Sequence, residues 1–236
     1  MMDQKTMDSL KTDLVTYAGA TGDVKAFMAM PKDGAKLPCV VIVHENKGLN
    51  AHIEDVARRV AAEGFIALAP DALSSQGGTP QDQDQAIALI GKLDRQETVN
   101  NFLAAVRYLK THPQSTGKVG VVGFCWGGGI ANALAVNSPD LTAAVPYYGP
   151  QPASEDVPKI KVPLLLHYGG LDERINKGIP AFEEALKKAG VNYQMHMYDG
   201  ANHAFNNDTS PERYHKEASQ LAWQRTISFL KEKLKA

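Results

Sequence analysis

The 236 residues carry 25 Lys and Arg against 26 Asp and Glu, a formal charge of -1, with 44% hydrophobic and 22% charged residues. Those proportions describe a globular chain with a sizeable core and exclude a disordered tail, a fibrous repeat and a basic phosphate-tracking surface, so nucleic acid is not an expected partner. No apolar run nears the roughly 18 residues of a membrane span, and the polar start "MMDQKTMDSLKTD" lacks a secretory apolar segment. The chain therefore reads as cytoplasmic and off the membrane, with a trimmed export signal left open.

In chain order, "DLVTY" and "VKAFMAMP" predict a leading hairpin joined through 18–23, where Gly19 and Gly22 ease the turn. Six further strands are predicted at "CVVIVH" (39–44), "FIALAP" (65–70), "KVGVVGF" (118–124), "TAAVPYY" (142–148), "VPLLLHY" (162–168) and "NYQMHMY" (192–198). Several are apolar on both faces, as buried parallel strands are. "SSQGGTPQDQDQ" (74–85) reads as a surface loop entering a helix. Asp94 and Glu97 make a D-x-x-E helix start followed by Val99, Phe102, Leu103 and Val106 at helical spacing. Ser210 before Pro211 predicts the N-cap of a terminal helix running to about Lys233. Short strands alternating with helices predict an α/β fold: a mostly parallel sheet of about eight strands, helices on both faces, in a single domain, 1–236.

The stretch "VGVVGFCWGGG" (119–129) places Cys125 in G-x-C-x-G, after a strand and before a helical run. That context is the one a nucleophile elbow needs, because flanking glycines let the turn close while the central side chain projects at a helix N-terminus. A buried structural cysteine is the alternative; a nucleotide loop is disfavoured because the glycines do not spell G-x-G-x-x-G. In α/β-hydrolases the nucleophile is followed by an acid and then by a late histidine. Asp172, after "VPLLLHY", and His203, in "DGANHAFNN", obey that order with room for a strand and a helix between successive members. His112, His196 and His215 read as surface or packing residues, and "HEN" at His44 lacks the second histidine of H-E-x-x-H, so no metal site is expected.

"VIVHENKGLN" ends an early strand, and Glu45 there is either a loop carboxylate or an acid aimed at the cysteine. The backbone N–H groups of Asn46 and Trp126 are candidates for a two-donor oxyanion hole, one from this loop and one after the nucleophile. Trp126, Tyr147 and Tyr148 either line the pocket or pack beside the elbow. Cys39 reads as buried in a strand, and no resolving cysteine lies near Cys125, which argues against thiol redox chemistry.

"VIVHENKGLN", "GFIALAPDAL", "GKVGVVGFCWGGG", "VPYYG", "HYGGLDERI" and "YDGANHAFNN" together resemble the dienelactone hydrolase family of α/β-hydrolases, in the family's order and over nearly the whole chain. The resemblance implies the α/β-hydrolase fold, a Cys125–His203–Asp172 triad and a cysteine-facing role for Glu45. Two positions depart from it. Where dienelactone-cleaving members hold the substrate carboxylate with two arginines, this sequence has Gln83 and Asn207. The expected activity is hydrolysis of a small-molecule ester or lactone, without cofactor, by a monomer or weak homo-oligomer. The rival is a catalytically silent ligand-binding or regulatory protein on the same scaffold.

Overall fold

The computed structural model describes residues 2–235, and the chain divides into two compact units, Met1–Gly120 and Val121–Ala236. The first holds α1 (Gln4–Asp8), β1 (Leu10–Gly19), β2 (Gly22–Pro31), β3 (Leu37–Val43), α2 (Ala51–Ala62), β4 (Ile66–Pro70), α3 (Gln83–Ile90) and α4 (Arg95–Lys110). Strand β5 (Ser115–Phe124) begins in the first unit and ends in the second. Then follow α5 (Trp126–Asn137), β6 (Ala143–Tyr147), β7 (Leu164–Gly169), α6 (Glu173–Asn176), α7 (Ile179–Ala189), β8 (Tyr193–Tyr198) and α8 (Lys216–Lys235).

In the first unit the strand order is β1-β2-β4-β3. The β1–β2 hairpin is antiparallel and β2 pairs antiparallel with β4, whereas β3 and β4 run parallel with α2 as their crossover. The hairpin is tighter than the sequence suggests: Gly19 pairs with Gly22, leaving only Ala20 and Thr21 as its loop. The reason is long-range. Asn101 on α4 accepts from the Ala20 and Thr21 N–H groups at 2.8 and 3.3 Å and donates to the Thr21 hydroxyl at 2.9 Å, which fixes the turn. Helix α4 starts where predicted, with the Asp94 carboxylate accepting from the Glu97 N–H at 2.8 Å, and buries Val99, Phe102 and Val106. Helix α2 is capped by Asn50 and buries Ile53, Val56, Ala57 and Val60 against β2, β3 and β4.

In the second unit β6, β7 and β8 run parallel in that order. Helix α5 is apolar around most of its circumference and buried from Gly127 to Ala135, as a core helix is. It packs against β6 so closely that a Cβ at Gly149 would fall on the Gly128–Gly129 backbone. The terminal helix begins later than Ser210 and Pro211 suggest. The Ser210 carbonyl closes a turn by accepting from the Arg213 and Tyr214 N–H groups at 3.0 and 2.9 Å, and His215 becomes the cap of α8, its Nδ1 accepting from the Ala218 N–H at 3.2 Å. Among the described residues no helix is long and apolar enough to cross a membrane.

Candidate active site

Cys125 follows β5 directly, at φ 58° and ψ -119°, a conformation that costs a residue with a side chain about 1–3 kcal/mol and persists only where its surroundings hold it. The hold is a set of backbone hydrogen bonds: the Cys125 N–H donates to Tyr147 O at 3.0 Å, and Cys125 O accepts from the Gly128 and Gly129 N–H groups at 2.9 and 3.3 Å. Any Cβ at Gly123 would collide with Gly127 O, so this turn closes only with glycine there. The result is a half-buried thiol presented at the first turn of α5.

The histidine and the acid come to it from the ends of two other strands of the same unit. Asp172 lies just after β7, 5% exposed, with Oδ1 accepting from the Ile175 N–H at 3.3 Å to cap α6. His203 lies in the loop after β8, with Nδ1 2.5 Å from Asp172 Oδ2 and Nε2 3.0 Å from Cys125 Sγ. Burial pushes the Asp172 carboxyl up, but the hydrogen bond and charge of His203 outweigh it, and the group ends below its ordinary value. Burial likewise disfavours charge on His203, yet its bonds to Asp172 and Cys125 reverse this and push it up to about 9. An imidazole so held keeps one ring nitrogen on the carboxylate and offers the other to sulfur.

The remaining candidates divide. Tyr147 is a core residue: it has no exposure, its hydroxyl pairs with Thr226 at 2.7 Å, and its ring packs on Phe124 at 4.7 Å and on His167 at 4.5 Å. Tyr148 is as buried, but its ring centroid is 5.1 Å from that of His203, so it forms a wall beside the imidazole. Asn207 is 2% exposed and turned into its own loop, its Oδ1 accepting from the Thr209 N–H and hydroxyl at 2.9 and 2.6 Å. Trp126 opens α5, half-buried.

In the first unit, Glu45 and Asn46 follow β3 directly; Glu45 is 4% exposed and Asn46 is half-buried. Gln83, at the start of α3, is exposed and lines a surface cleft with Lys47, Asn50 and Gln81. Cys39 is fully buried, its Sγ 3.2 Å from the Ser115 hydroxyl, and burial pushes its thiol up to about 11, so it stays protonated near neutral pH. Among the described residues no three His, Cys, Asp or Glu side chains group so as to hold a metal ion. Sequence reasoning weighed His44 only as a metal ligand and passed over Asp71 and Thr79; these three hold the loop carrying Glu45 and Asn46. The available signal for His44 was its place at a strand end, next to a carboxylate.

A family model described as the dienelactone hydrolase family matches residues 24–234. Over 219 residues the chain is 33% identical to a protein of Methylorubrum extorquens provisionally named carboxymethylenebutenolidase, covering 86% of this chain and 75% of that one. A protein of Saccharolobus solfataricus with the same provisional name is 34% identical over 256 residues, covering 92% and 97%. Among solved structures, a provisionally named dienelactone hydrolase from Klebsiella pneumoniae superposes with a TM-score of 0.85 at 27% identity, covering 93% of this chain and 97% of the other. The likeness extends to the fold alone for an acylaminoacyl peptidase of Pyrococcus horikoshii, with a TM-score of 0.74 at 16% identity, over 99% of this chain and 44% of the other. The expected α/β-hydrolase fold is thus the fold of the chain, and with a family model spanning both units, the chain belongs to the dienelactone hydrolase family of hydrolases.

Proposed function

We propose that the chain cleaves ester or lactone bonds of small molecules without a cofactor, through Cys125 as nucleophile, His203 as acid and base, and Asp172 as the carboxylate that orients His203. The observation that carries this reading is the 3.0 Å approach of His203 Nε2 to Cys125 Sγ while Nδ1 is held on Asp172. The sulfur, its proton taken by Nε2, attacks the carbonyl carbon, and the carbonyl electron pair moves onto oxygen. The backbone N–H of Trp126, at the first turn of α5, receives that oxyanion. Collapse expels the alcohol, which takes the proton from Nε2, and leaves a thioester on Cys125. Water, losing a proton to Nε2, then attacks the thioester; collapse releases the acid and returns the proton to the sulfur.

Tyr148 flanks the reacting imidazole. Gln83 and Asn207 are uncharged where dienelactone-cleaving relatives bear arginine, which favours neutral substrates. One family model runs from 24 to 234, which supports residues 1–236 acting as a single domain. The test is turnover of activated esters by wild-type protein and by Cys125→Ala. Hydrolysis lost in a folded Cys125→Ala protein and blocked by thiol alkylation is the expected result; undiminished rates would remove Cys125 from the chemistry.

A further inference from the structure

We propose that Thr226 of α8 is a positioning residue for Cys125: its hydroxyl ties the Tyr147 and His167 side chains together and so holds the peptide group on which the nucleophile's turn rests; this rests on the function proposed above. Every residue concerned belongs to the second unit.

Among the described residues only three other than glycine stand at positive φ: Cys125 at 58°, Tyr148 at 36° and Ala204 at 66°. Cys125 follows β5, Tyr148 follows β6 and Ala204 follows His203, so all three border the triad. Such conformations persist only where the surroundings impose them. For the first two, the surroundings meet in one peptide group. Tyr147 O accepts from the Cys125 N–H at 3.0 Å, and the Tyr148 N–H, at the other end of that peptide, donates to His167 O at 2.7 Å. In a planar trans peptide the two groups point in opposite directions, and no peptide bond among the described residues is cis. A rotation of this peptide therefore weakens both bonds at once. Through it the backbone of Cys125 is tethered to β7, the strand that leads to Asp172.

The two residues that carry the tether are also joined through their side chains. Tyr147 and His167 are cross-strand partners without exposure, their ring centroids 4.5 Å apart. Thr226 is equally buried, and its hydroxyl lies 2.7 Å from Tyr147 OH and 3.0 Å from His167 Nε2. The proton positions follow from the far end of the cluster. Arg225 can only donate, so Tyr198 O accepts from it at 3.2 Å and turns its own proton to His167 Nδ1 at 2.9 Å. Burial keeps the His167 ring neutral, so its one proton is on Nε2 and is donated to Thr226. Thr226 thus serves both strands at once. Without the hydroxyl, the His167 Nε2–H and the Tyr147 phenol are buried with that partner gone, a state relieved only by moving the two side chains or admitting water. Either response shifts the pair of residues whose backbone holds Cys125. The Thr226 methyl group, by contrast, only fills space.

The test separates hydroxyl from methyl. Thr226→Val keeps the shape and removes the hydroxyl; Thr226→Ser keeps the hydroxyl and removes the methyl. Amide hydrogen exchange at Cys125 and Tyr148, read by NMR against the amides of α7, reports the tether and needs no substrate. The burst of p-nitrophenolate from p-nitrophenyl acetate, resolved into acylation rate and substrate affinity, reports the chemistry. In Thr226→Val we expect exchange at Cys125 and Tyr148 to rise about tenfold relative to α7. Acylation should slow by about 10- to 100-fold, the range for a reacting group displaced by up to an ångström, with affinity unchanged. Thr226→Ser should stay within about threefold of wild type in both measurements.

Exchange that rises equally at Cys125, Tyr148 and α7, slower acylation without the selective exchange, equal losses in both variants, or undiminished acylation in a folded Thr226→Val protein would each overturn the assignment. Should Thr226→Val not fold, Tyr147→Phe removes the other end of the hydroxyl bond and is expected to show the same selective exchange and slower acylation; wild-type values in both would overturn it. Turnover persisting in Cys125→Ala sinks the underlying Cys125 reading whatever the Thr226 variants do. Acylation that depends on Cys125 but not on the Thr226 hydroxyl sinks only the role of Thr226.

Discussion

Replacing Asp172 by asparagine keeps the shape of the site and removes what orients and charges His203. The Ile175 N–H already occupies Oδ1, so the asparagine keeps its oxygen there and turns its amide N–H toward His203 Nδ1. Nδ1 must then accept, the ring proton moves to Nε2, and a donor faces the sulfur where a base is required. The electrostatic part follows from His203 standing at about 9 against an ordinary 6.5. At 1.36 kcal/mol per pKa unit, Asp172 and sulfur together favour the imidazolium by about 3 kcal/mol, which corresponds to about 100-fold in rate. Adding the wrong tautomer, which in Ser-His-Asp triads brings the total loss to about 10⁴ in kcat, Asp172→Asn is expected to lower kcat/KM for p-nitrophenyl acetate by about 10³ to 10⁴. Its melting temperature at neutral pH should fall, because the stability that the raised His203 pKa supplies goes with the carboxylate, although the cap on α6 is kept. Steady-state kinetics, with a proton NMR titration of the His203 ring, provide the measurement. A folded Asp172→Asn protein within tenfold of wild type, or one whose His203 still titrates near 9, would refute the reasoning.

Gly123→Ala should destabilise the protein by about 2–4 kcal/mol, because its Cβ meets backbone at Gly127 O rather than a side chain able to move; a melting temperature unchanged from wild type would show that the turn relaxes. His167, fully buried between Tyr198 and Thr226, is held neutral well below its ordinary pKa by burial, while the unfolded chain takes up that proton near 6.5. Its contribution is present above 6.5 and lost as pH falls below it, at up to about 1.4 kcal/mol per pH unit, so urea unfolding of His167→Gln should depend less steeply on pH than wild type in this range. His203 behaves oppositely: the stability its raised pKa supplies is complete below 6.5 and lost as pH rises to about 9, and His203→Gln should flatten that alkaline limb. Neutral esters should exceed size-matched carboxylated analogues in kcat/KM, since Gln83 and Asn207 offer no cation; preference for the carboxylated member would assign the task to another residue.

What was legible in the chain is what local chemistry dictates. The elbow could be read because a strand-to-helix turn at φ 58° with a backbone-to-side-chain clash at Gly123 restricts residue choice within five consecutive positions. Strands β3, β4 and β7 could be read because fully buried strands demand unbroken apolar runs, and the start of α4 because Asp94 and Glu97 meet three residues apart. The order of Cys125, Asp172 and His203 was visible for the same reason, as each follows a recognisable strand. Features set by partners far along the chain were not legible. Asn101 decides the length of the first hairpin from about eighty residues away, and Thr226 makes Tyr147 a core residue rather than a pocket wall. The terminal helix starts at Lys216 because the Ser210 turn closes on itself, a competition that two equally good local signals leave undecided. His44 carries no motif at all: its tautomer, and with it the direction of the Asn46 N–H, depends on a backbone amide twenty-eight residues on, which only folding brings to the ring.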